Sequence, residues 1–347
     1  MERRALITGI TGQDGSYLAE FLLAQGYQVH GLVRRVALHD PERHLSRLAH
    51  IRDRLVLHAG SLESSTSLQQ VVDGVRPDEC YHLAAHSFVN TSFEDDLPTL
   101  GSDISGTHYL LAALTGKSPA CRFYFAGTSE MFGNADESPQ RETSRFLPRS
   151  TYGINKVAGY HLTRNYRERF GLHASTGILY NHESPRRGNE FVTRRIAVGV
   201  AQILAGRQER LALGNLDARR DWGHARDYVR AMWLMLQQKT PDDYVVATGE
   251  SHTVREFAQL AFAAAGLDHR EHVFIDPELC RRTEDKPLVG DPRKARERLG
   301  WHHQVDFAQL VREMVMAECD ALGLALPLKT PAIPAASVVG NDAEKSM

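Results

Sequence analysis

Tyr152 and Lys156 stand four residues apart in "STYGINK" (150–156). On a helix that spacing puts both side chains on one face. An ammonium beside a phenol lowers its pKa, so phenolate can act as a base near neutral pH. Tyr-x-x-x-Lys alone recurs by chance and gains meaning from what surrounds it. Thr128, in "GTSEMFG" (127–133), offers a hydroxyl at the end of an apolar run. Two places further on stands Glu130. Oxidising a simple alcohol needs a hydroxyl and a tyrosine but no carboxylate, so Glu130 points to a second proton that has to be moved. The alternative for Glu130 is an ion-pair partner at the end of a loop.

Redox chemistry on a tyrosine needs a dinucleotide, and "TGITGQDG" (8–15) suits one. Its glycines fall at Gly9, Gly12 and Gly15, after a strand-like run and before a helix-like one. Glycines let the backbone turn tightly and approach a pyrophosphate, which sits at the positive end of the helix. The next strand ends "HGLVRR", where NAD binders usually place an acid for the ribose 2′-hydroxyl. Arg34 and Arg35 stand there instead. Paired guanidiniums suit a 2′-phosphate, so the pattern favours NADP; two solvated arginines at a loop start are the alternative.

These residues need a frame to hold them. "RALIT", "QVHGLV", "RLVLHA", "ECYHLA", "RFYFAG" and "HASTGILY" read as buried strands, with helical patterns such as "SYLAEFLLAQG" between them. That alternation predicts an α/β fold: a Rossmann-type, doubly wound parallel sheet with helices on both faces. Residues 1–180 are expected to form the NADP-binding domain, with later segments returning to it. After Asn181 the loops grow longer and richer in Arg, Gly and Pro, around helical segments "VTRRIAVGVAQILAG" and "VREFAQLAFAAAG". Residues 181–322 are read as a smaller, interleaved substrate lobe. Residues 323–347 lack amphipathic periodicity and are expected to be a disordered tail.

The chain has 347 residues, 42% hydrophobic and 24% charged, with a formal net charge of −2. That balance gives no global pull toward nucleic acid or acidic membranes. No run reaches the ~20 apolar residues of a membrane span, and the start does not read as a signal peptide. Cys80, Cys121, Cys280 and Cys319 form no C-x-x-C, which indicates neither a disulfide framework nor zinc and fits a reducing cytoplasm. His82 and His86 come nearest to a metal pair, but helical ligand spacing is missing, so no metal is expected.

The chain resembles the extended short-chain dehydrogenase/reductases and, within them, the GDP-mannose 4,6-dehydratase family. The resemblance runs from about residue 3 to about residue 320. It is carried by "ALITGITGQDGSYLAEFLL", "GTSEMFG", "PRSTYG", "GILYNHESPRRG", "FVTRRI", "LGNLDARRDWGHARDYVRAMWLML", "DDYVVATGE" and "GDPRKARERLGW". It implies that Tyr152 takes the sugar 4-hydroxyl proton, tuned by Lys156, while Thr128 hydrogen-bonds the 4-oxygen. Glu130 would take the C5 proton and assist loss of the 6-hydroxyl, with Ser129 as a helper to the leaving group.

The resemblance further puts Gln13, Asp14, Ser61, Leu62, Leu83, Ala84 and Ala85 beside the cofactor with the glycines and arginines. Asn181, Arg195 and Arg220 would surround GDP, with Ser87, Glu183, Val192, Arg281 and Glu284 also on the substrate. Arg187 is counted with them, although for Arg186, Arg187 and Arg219 surface ion pairing is an equal alternative. A homodimer or homotetramer in the cytoplasm is implied.

The chain departs from the family pattern in places. Ser61 replaces an acid that contacts adenine, His86 a glutamine, Arg195 a lysine, and Lys286 stands where an acid is usual. Gly127 replaces a serine, which suggests room for a larger sugar such as GDP-manno-heptose. Two other readings compete with a GDP-mannose or GDP-heptose dehydratase. A nucleotide-sugar 4-epimerase would use the tyrosine and lysine without Glu130. A catalytically silent NADP-binding regulator would lack part of the Thr-Tyr-Lys set, which is complete here.

Overall fold

The computed structural model describes residues 2–85, 93–280 and 287–325, of which 93–101 by backbone alone. Ser87, Arg281, Glu284, His86, Lys286 and most of the expected tail lie outside the described residues.

Apolar runs flanked by turns become strands, most of them covered on both sides; the strand Leu55–Ala59, at the sheet edge, is the exception to the expected burial, with Val56 exposed. Six match the runs read from sequence: β1 (Arg4–Thr8), β2 (Gln28–Val33), β3 (Leu55–Ala59), β4 (Glu79–His82), β5 (Arg122–Thr128) and β6 (His173–Leu179). A seventh, β7 (Tyr244–Val246), arrives late in the chain and pairs with β6. The order is β7-β6-β5-β4-β1-β2-β3, parallel throughout. Succession runs outward from β1 to β3 and then jumps back to β4 on the other side of β1. The crevice beyond the carboxyl ends of β1 and β4 is therefore the topological switch point, where such sheets bind ligands.

Helices cover both faces. On one, Tyr17, Leu18 and Leu22 of the helix Gln13–Ala24 and Val229, Met232 and Met235 of the helix Ala225–Gln237 pack over Ala5, Ile7 and Val29. On the other, Leu68 and Val72 of Ser65–Val75 and Leu110, Leu111 and Leu114 of Phe93–Lys117 pack over Leu6, Cys80 and Phe123. Gly26 follows the first helix at φ +78°, as its predicted C-terminal stop requires.

A separate apolar cluster joins the helices Val192–Leu204, Val254–Ala264 and Phe307–Ala321 around Trp222, Leu211 and Leu213. Between it and the sheet runs the short strand Asn181–Glu183, parallel to Trp222–His224. Among the described residues no helix is long and apolar enough to cross a membrane.

Candidate active site

A cleft of about 1460 Å³ opens over the switch point and continues to the second apolar cluster. It exceeds the roughly 300–1,000 Å³ of a single small-molecule site, leaving room for two ligands side by side.

The glycine loop forms one end. Gly15 packs so closely on the loop that a Cβ there would sit 2.2 Å from Gly9 O. At Gly12 a Cβ would meet only Gly9 O, at 3.2 Å, and otherwise take up the open cradle. The helix Gln13–Ala24 begins at Gly12 with no side-chain cap, so its first amides face the cleft. Leu83, Ala84 and Ala85, after β4, line the same end, as do Ser61 and Leu62 after β3. This donor set fits a dinucleotide pyrophosphate.

Arg34 lines the cleft at the end of β2. Arg35 begins the short helix Arg35–His39 and lies outside the lining, so only one of the expected pair lines the cleft. Ser61 keeps a hydroxyl on the wall, which accepts the amide of Glu63 at 3.2 Å.

The catalytic candidates meet where β5 ends. Ser150 caps the helix Thr151–Phe170 by accepting the Gly153 amide at 3.0 Å, which places Tyr152 in the first turn and Lys156 one turn on. Thr128 is the last residue of β5; its hydroxyl accepts the Glu130 amide at 3.3 Å and shares a hydrogen bond with Tyr152. Thr128, Glu130, Tyr152 and Lys156 all line the cleft.

The electrostatics differ from the simple lysine–tyrosine reading. Burial pushes the Tyr152 phenol up, the Thr128 hydrogen bond pulls it back, the Glu130 charge adds to the rise and Arg187 opposes it. Lys156 Nζ donates to the carbonyl of Ala126 at 2.8 Å and sits 5.6 Å from the centre of the Tyr152 ring. Burial brings the lysine down to about 8, against the charges of Asp103 and Asp14.

Ser129 does not join this group. It is 3% exposed, lies outside the cleft lining and starts the tight turn Ser129–Met131. Successive side chains in such a turn point about a third of a turn apart, so Thr128 and Glu130 can face the cleft only if the residue between them turns inward.

Gly127 also departs from expectation. Gly127 lines the cleft, but a Cβ there would come within 3.0 Å of Gly177 O, 3.1 Å of Thr176 Cγ2 and 3.2 Å of Met131 Sδ. The missing side chain relieves crowding against β6 and Met131, so space for a larger sugar does not follow from the glycine alone.

The far end is lined by Asn181, Glu183, Arg187, Val192, Arg195 and Arg220. The helix Val192–Leu204 starts here, also without a side-chain cap. Glu183 accepts Thr193 Oγ1 at 2.6 Å and pairs with Arg187 at 3.1 Å, so its carboxylate holds the arginine rather than standing free. Arg187 lies flat over Phe191, 3.5 Å from the ring centre. Arg186 is bonded to Ser16 and Glu20 at 3.0 and 2.5 Å, and Arg219 to Ser251 at 3.1 Å; like Arg187 on Glu183, both are paired within the protein, and all three line the cleft.

Next to Arg220, the buried carboxylate of Asp221 accepts the amides of Thr248, Gly249 and Gly290 at 2.9, 3.0 and 3.3 Å and the Thr248 hydroxyl at 2.6 Å. Burial raises its pKa against those donors.

Several lining residues carried no sequence signal. Arg47 reaches the cleft from the 3-10 helix Ser46–Arg54, donating to Arg186 O at 3.0 Å and Thr11 O at 3.3 Å. His182, inside "NHESPRRG", lines the cleft too. His82, the nearer half of the candidate metal pair, bonds Thr8 at 2.7 Å and Thr107 at 3.0 Å through its two ring nitrogens.

A doubly wound sheet with tyrosine and lysine beside its switch point is the architecture of the short-chain dehydrogenase/reductases. The family model for GDP-mannose 4,6 dehydratase matches residues 6–314, and the chain belongs to that family. It is 50% identical over 321 residues to GDP-mannose 4,6 dehydratase 1 of Arabidopsis thaliana, covering 90% of this chain and 88% of the relative. It is 48% identical over 341 residues to GDP-mannose 4,6 dehydratase of Homo sapiens, covering 92% of each. Among solved structures, the dTDP-glucose 4,6-dehydratase of Streptomyces venezuelae with NAD bound superposes with a TM-score of 0.79 at 25% identity, over 92% of this chain and 98% of that one.

Proposed function

We infer that the protein is a GDP-sugar 4,6-dehydratase, a hydro-lyase that converts GDP-mannose to GDP-4-keto-6-deoxymannose and water with NADP. The observation that carries this is one cleft with two uncapped helix N-termini, at Gly12 and Phe191, and Tyr152, Thr128 and Glu130 lining the same cleft. Each N-terminus suits a diphosphate. Arg195, Arg220 and Arg187 add forked donors for the GDP end, and Arg34, with no acid beside it, favours NADP over NAD at the other. Residues 181–322 then serve mainly the sugar nucleotide, and residues 1–180 mainly the cofactor.

The nicotinamide, when bound, supplies reversible hydride storage between C4 and C6 of one sugar. Tyr152 takes the proton of the 4-hydroxyl, with Thr128 holding the 4-oxygen. The resulting ketone makes C5–H acidic. Glu130 removes that proton and passes it to the 6-hydroxyl, which leaves as water. Glu130, reprotonated from solvent, then gives a proton to C5 as C6 is reduced, and Tyr152 releases to solvent the proton it took. Lys156, pinned on Ala126 O, keeps a positive charge behind the tyrosine.

Label tracking tests the assignment. GDP-mannose deuterated at C4 is expected to give product with deuterium in its new C6 methyl group, and reaction in heavy water to label C5. An epimerase would keep the 6-hydroxyl and return the C4 label to C4; that NMR pattern would overturn the dehydratase. Homodimer or homotetramer assembly in the cytoplasm is part of the same proposal, and sedimentation of the purified chain checks the assembly.

A further inference from the structure

The two ends of the cleft are tied together by a partly buried ion pair between residues 168 positions apart. Asp14 stands in the first turn of the helix Gln13–Ala24, and His182 is the middle residue of the strand Asn181–Glu183. Nε2–H of His182 donates to Asp14 Oδ2 at 2.7 Å, and Nδ1–H donates to the carbonyl of Tyr180, also at 2.7 Å. A carboxylate and a carbonyl can only accept, so both nitrogens carry hydrogen and the ring is an imidazolium. Burial opposes both charges, yet the pairing outweighs it: Asp14 is held below the usual carboxylate range and His182 above the usual imidazole range. The charge of Arg187 also faces the pair, favouring the carboxylate and opposing the imidazolium. The imidazolium lies on the ring of Tyr228, 4.5 Å between centroids.

Gln13 doubles the link. Its Nε2 donates to Asp14 Oδ1 at 3.0 Å and to His182 O at 3.1 Å, while its Oε1 accepts the Ser184 hydroxyl at 2.7 Å. The first turn that offers its amides to one diphosphate is thus bolted to the strand whose flanking residues, Asn181 and Glu183, line the place for the other. A carboxylate in that turn would repel a pyrophosphate seated on the amides. The imidazolium cancels that charge, so an anion on the loop binds the paired arrangement better than the unpaired one. A ligand with differential affinity for two arrangements shifts their balance, and the effect is reciprocal between the two sites.

We propose that Asp14 and His182 form a positioning pair that couples the two binding events: NADP on the glycine loop sets the 181–187 segment for the GDP-sugar, and the GDP-sugar in turn tightens the hold on NADP. This rests on the function proposed above.

The test is calorimetric titration of the full chain with GDP, with and without saturating NADP, and of NADP with and without GDP. In the unsubstituted protein each ligand is expected to tighten the other by the same factor, about 5-fold or more. His182→Gln keeps a donor but loses the positive charge, and Asp14→Asn keeps an acceptor but loses the negative one. In each, the factor is expected to fall toward one, and the double variant to go no further than either single. A pair that only supports the fold would weaken GDP binding equally with and without NADP, leaving the factor unchanged. That result overturns the coupling, as does a factor of one in the unsubstituted protein. If His182→Gln does not fold, Asp14→Asn alone decides. Failure of the unsubstituted protein to bind GDP or NADP at all overturns the functional reading, and the coupling with it.

Discussion

The backbones of Glu130 and Gly153 approach so closely that a Cβ on Gly153 would sit 2.7 Å from the carbonyl oxygen of Glu130. The helix that carries Tyr152 therefore meets the turn that carries Glu130 with no side chain between them. Gly153→Ala is expected to force the two apart by several tenths of an ångström. Since a misplacement of about 1 Å can cost ~100-fold in rate, a fall of roughly 10-fold or more in kcat is expected, with cofactor affinity little changed. Steady-state kinetics beside a cofactor titration checks it; an unchanged kcat would mean that the spacing is not critical.

Tyr152 and Glu130 are expected to fail at different steps. Tyr152→Phe removes the first base, so no reduced nicotinamide should form. Glu130→Gln should permit the first oxidation and block elimination. Single-turnover absorbance should then show reduced cofactor without dehydrated product in the glutamine variant alone. Full elimination by that variant would assign the C5 proton to another group.

Gly127→Ser is expected to act on stability and not on sugar choice. Its side chain would press on Thr176 and Met131, between β5 and β6, at a cost of about 1–3 kcal/mol of overpacking. The ratio of kcat/KM for GDP-mannose to that for GDP-manno-heptose should stay constant. A marked shift in that ratio would show that the position senses the sugar after all.

The arginines after β2 should prove unequal. Arg34→Ala is expected to weaken NADP by about 1–3 kcal/mol, the range for a charge-assisted contact, and NAD far less. Arg35→Ala should have the smaller effect, because Arg35 lies outside the cleft lining. Equal losses of NADP and NAD on removing Arg34 would remove the basis for NADP preference.

Acid should destabilise the fold well before its carboxylates are protonated. Burial lowers His30 and His173 from 6.5 to about 4 and His82 from 6.5 to about 3. The unfolded chain takes up these protons as pH drops below 6.5, while the folded chain resists until about 4 or below. Stability present above pH 6.5 is therefore lost on the way down, by at most about 1.4 kcal/mol per pH unit for each histidine. His182 has the opposite sign: its contribution is full below 6.5 and is lost as pH rises through its raised value. His58 and His269 are lowered by burial as well, so the lowered imidazoles outnumber the raised one and denaturant midpoints should fall between pH 7 and pH 5. A flat profile would contradict the burial of these imidazoles.

The strands and the tyrosine–lysine pair were legible because their signals are local. A strand covered on both faces must be an unbroken apolar run, and residues four apart on a helix must share a face. The glycine loop was legible for the same reason. What escaped depends on direction or on distance along the chain. Ser129 reads as a neighbour of two cleft residues, yet the tight turn rotates it inward. The missing side chain at Gly127 reads as space, but only the pleat of β5 says on which side. Lys156 looked like a partner for Tyr152, whereas its ammonium is anchored on Ala126, thirty residues earlier. The pairing of Asp14 with His182 has no local trace at all.

The carboxylate of Asp221 bears on how far this chain can be pared down. Its donors come from 248–249 and from 290, long after the residue itself. A shortened protein that stops before Gly290 would strand a buried acid beside Arg220 with a donor missing. Stopping before the helix Phe307–Ala321 would strip Leu310, Val311, Met314, Val315 and Cys319 from the second apolar cluster. β7 and the helix Ala225–Gln237, drawn from the same late stretch, complete the sheet of the first half. Neither half is a detachable cassette. A graft of this cleft onto another scaffold has to carry nearly the whole chain, and loop exchange at the cleft rim is the workable unit of redesign.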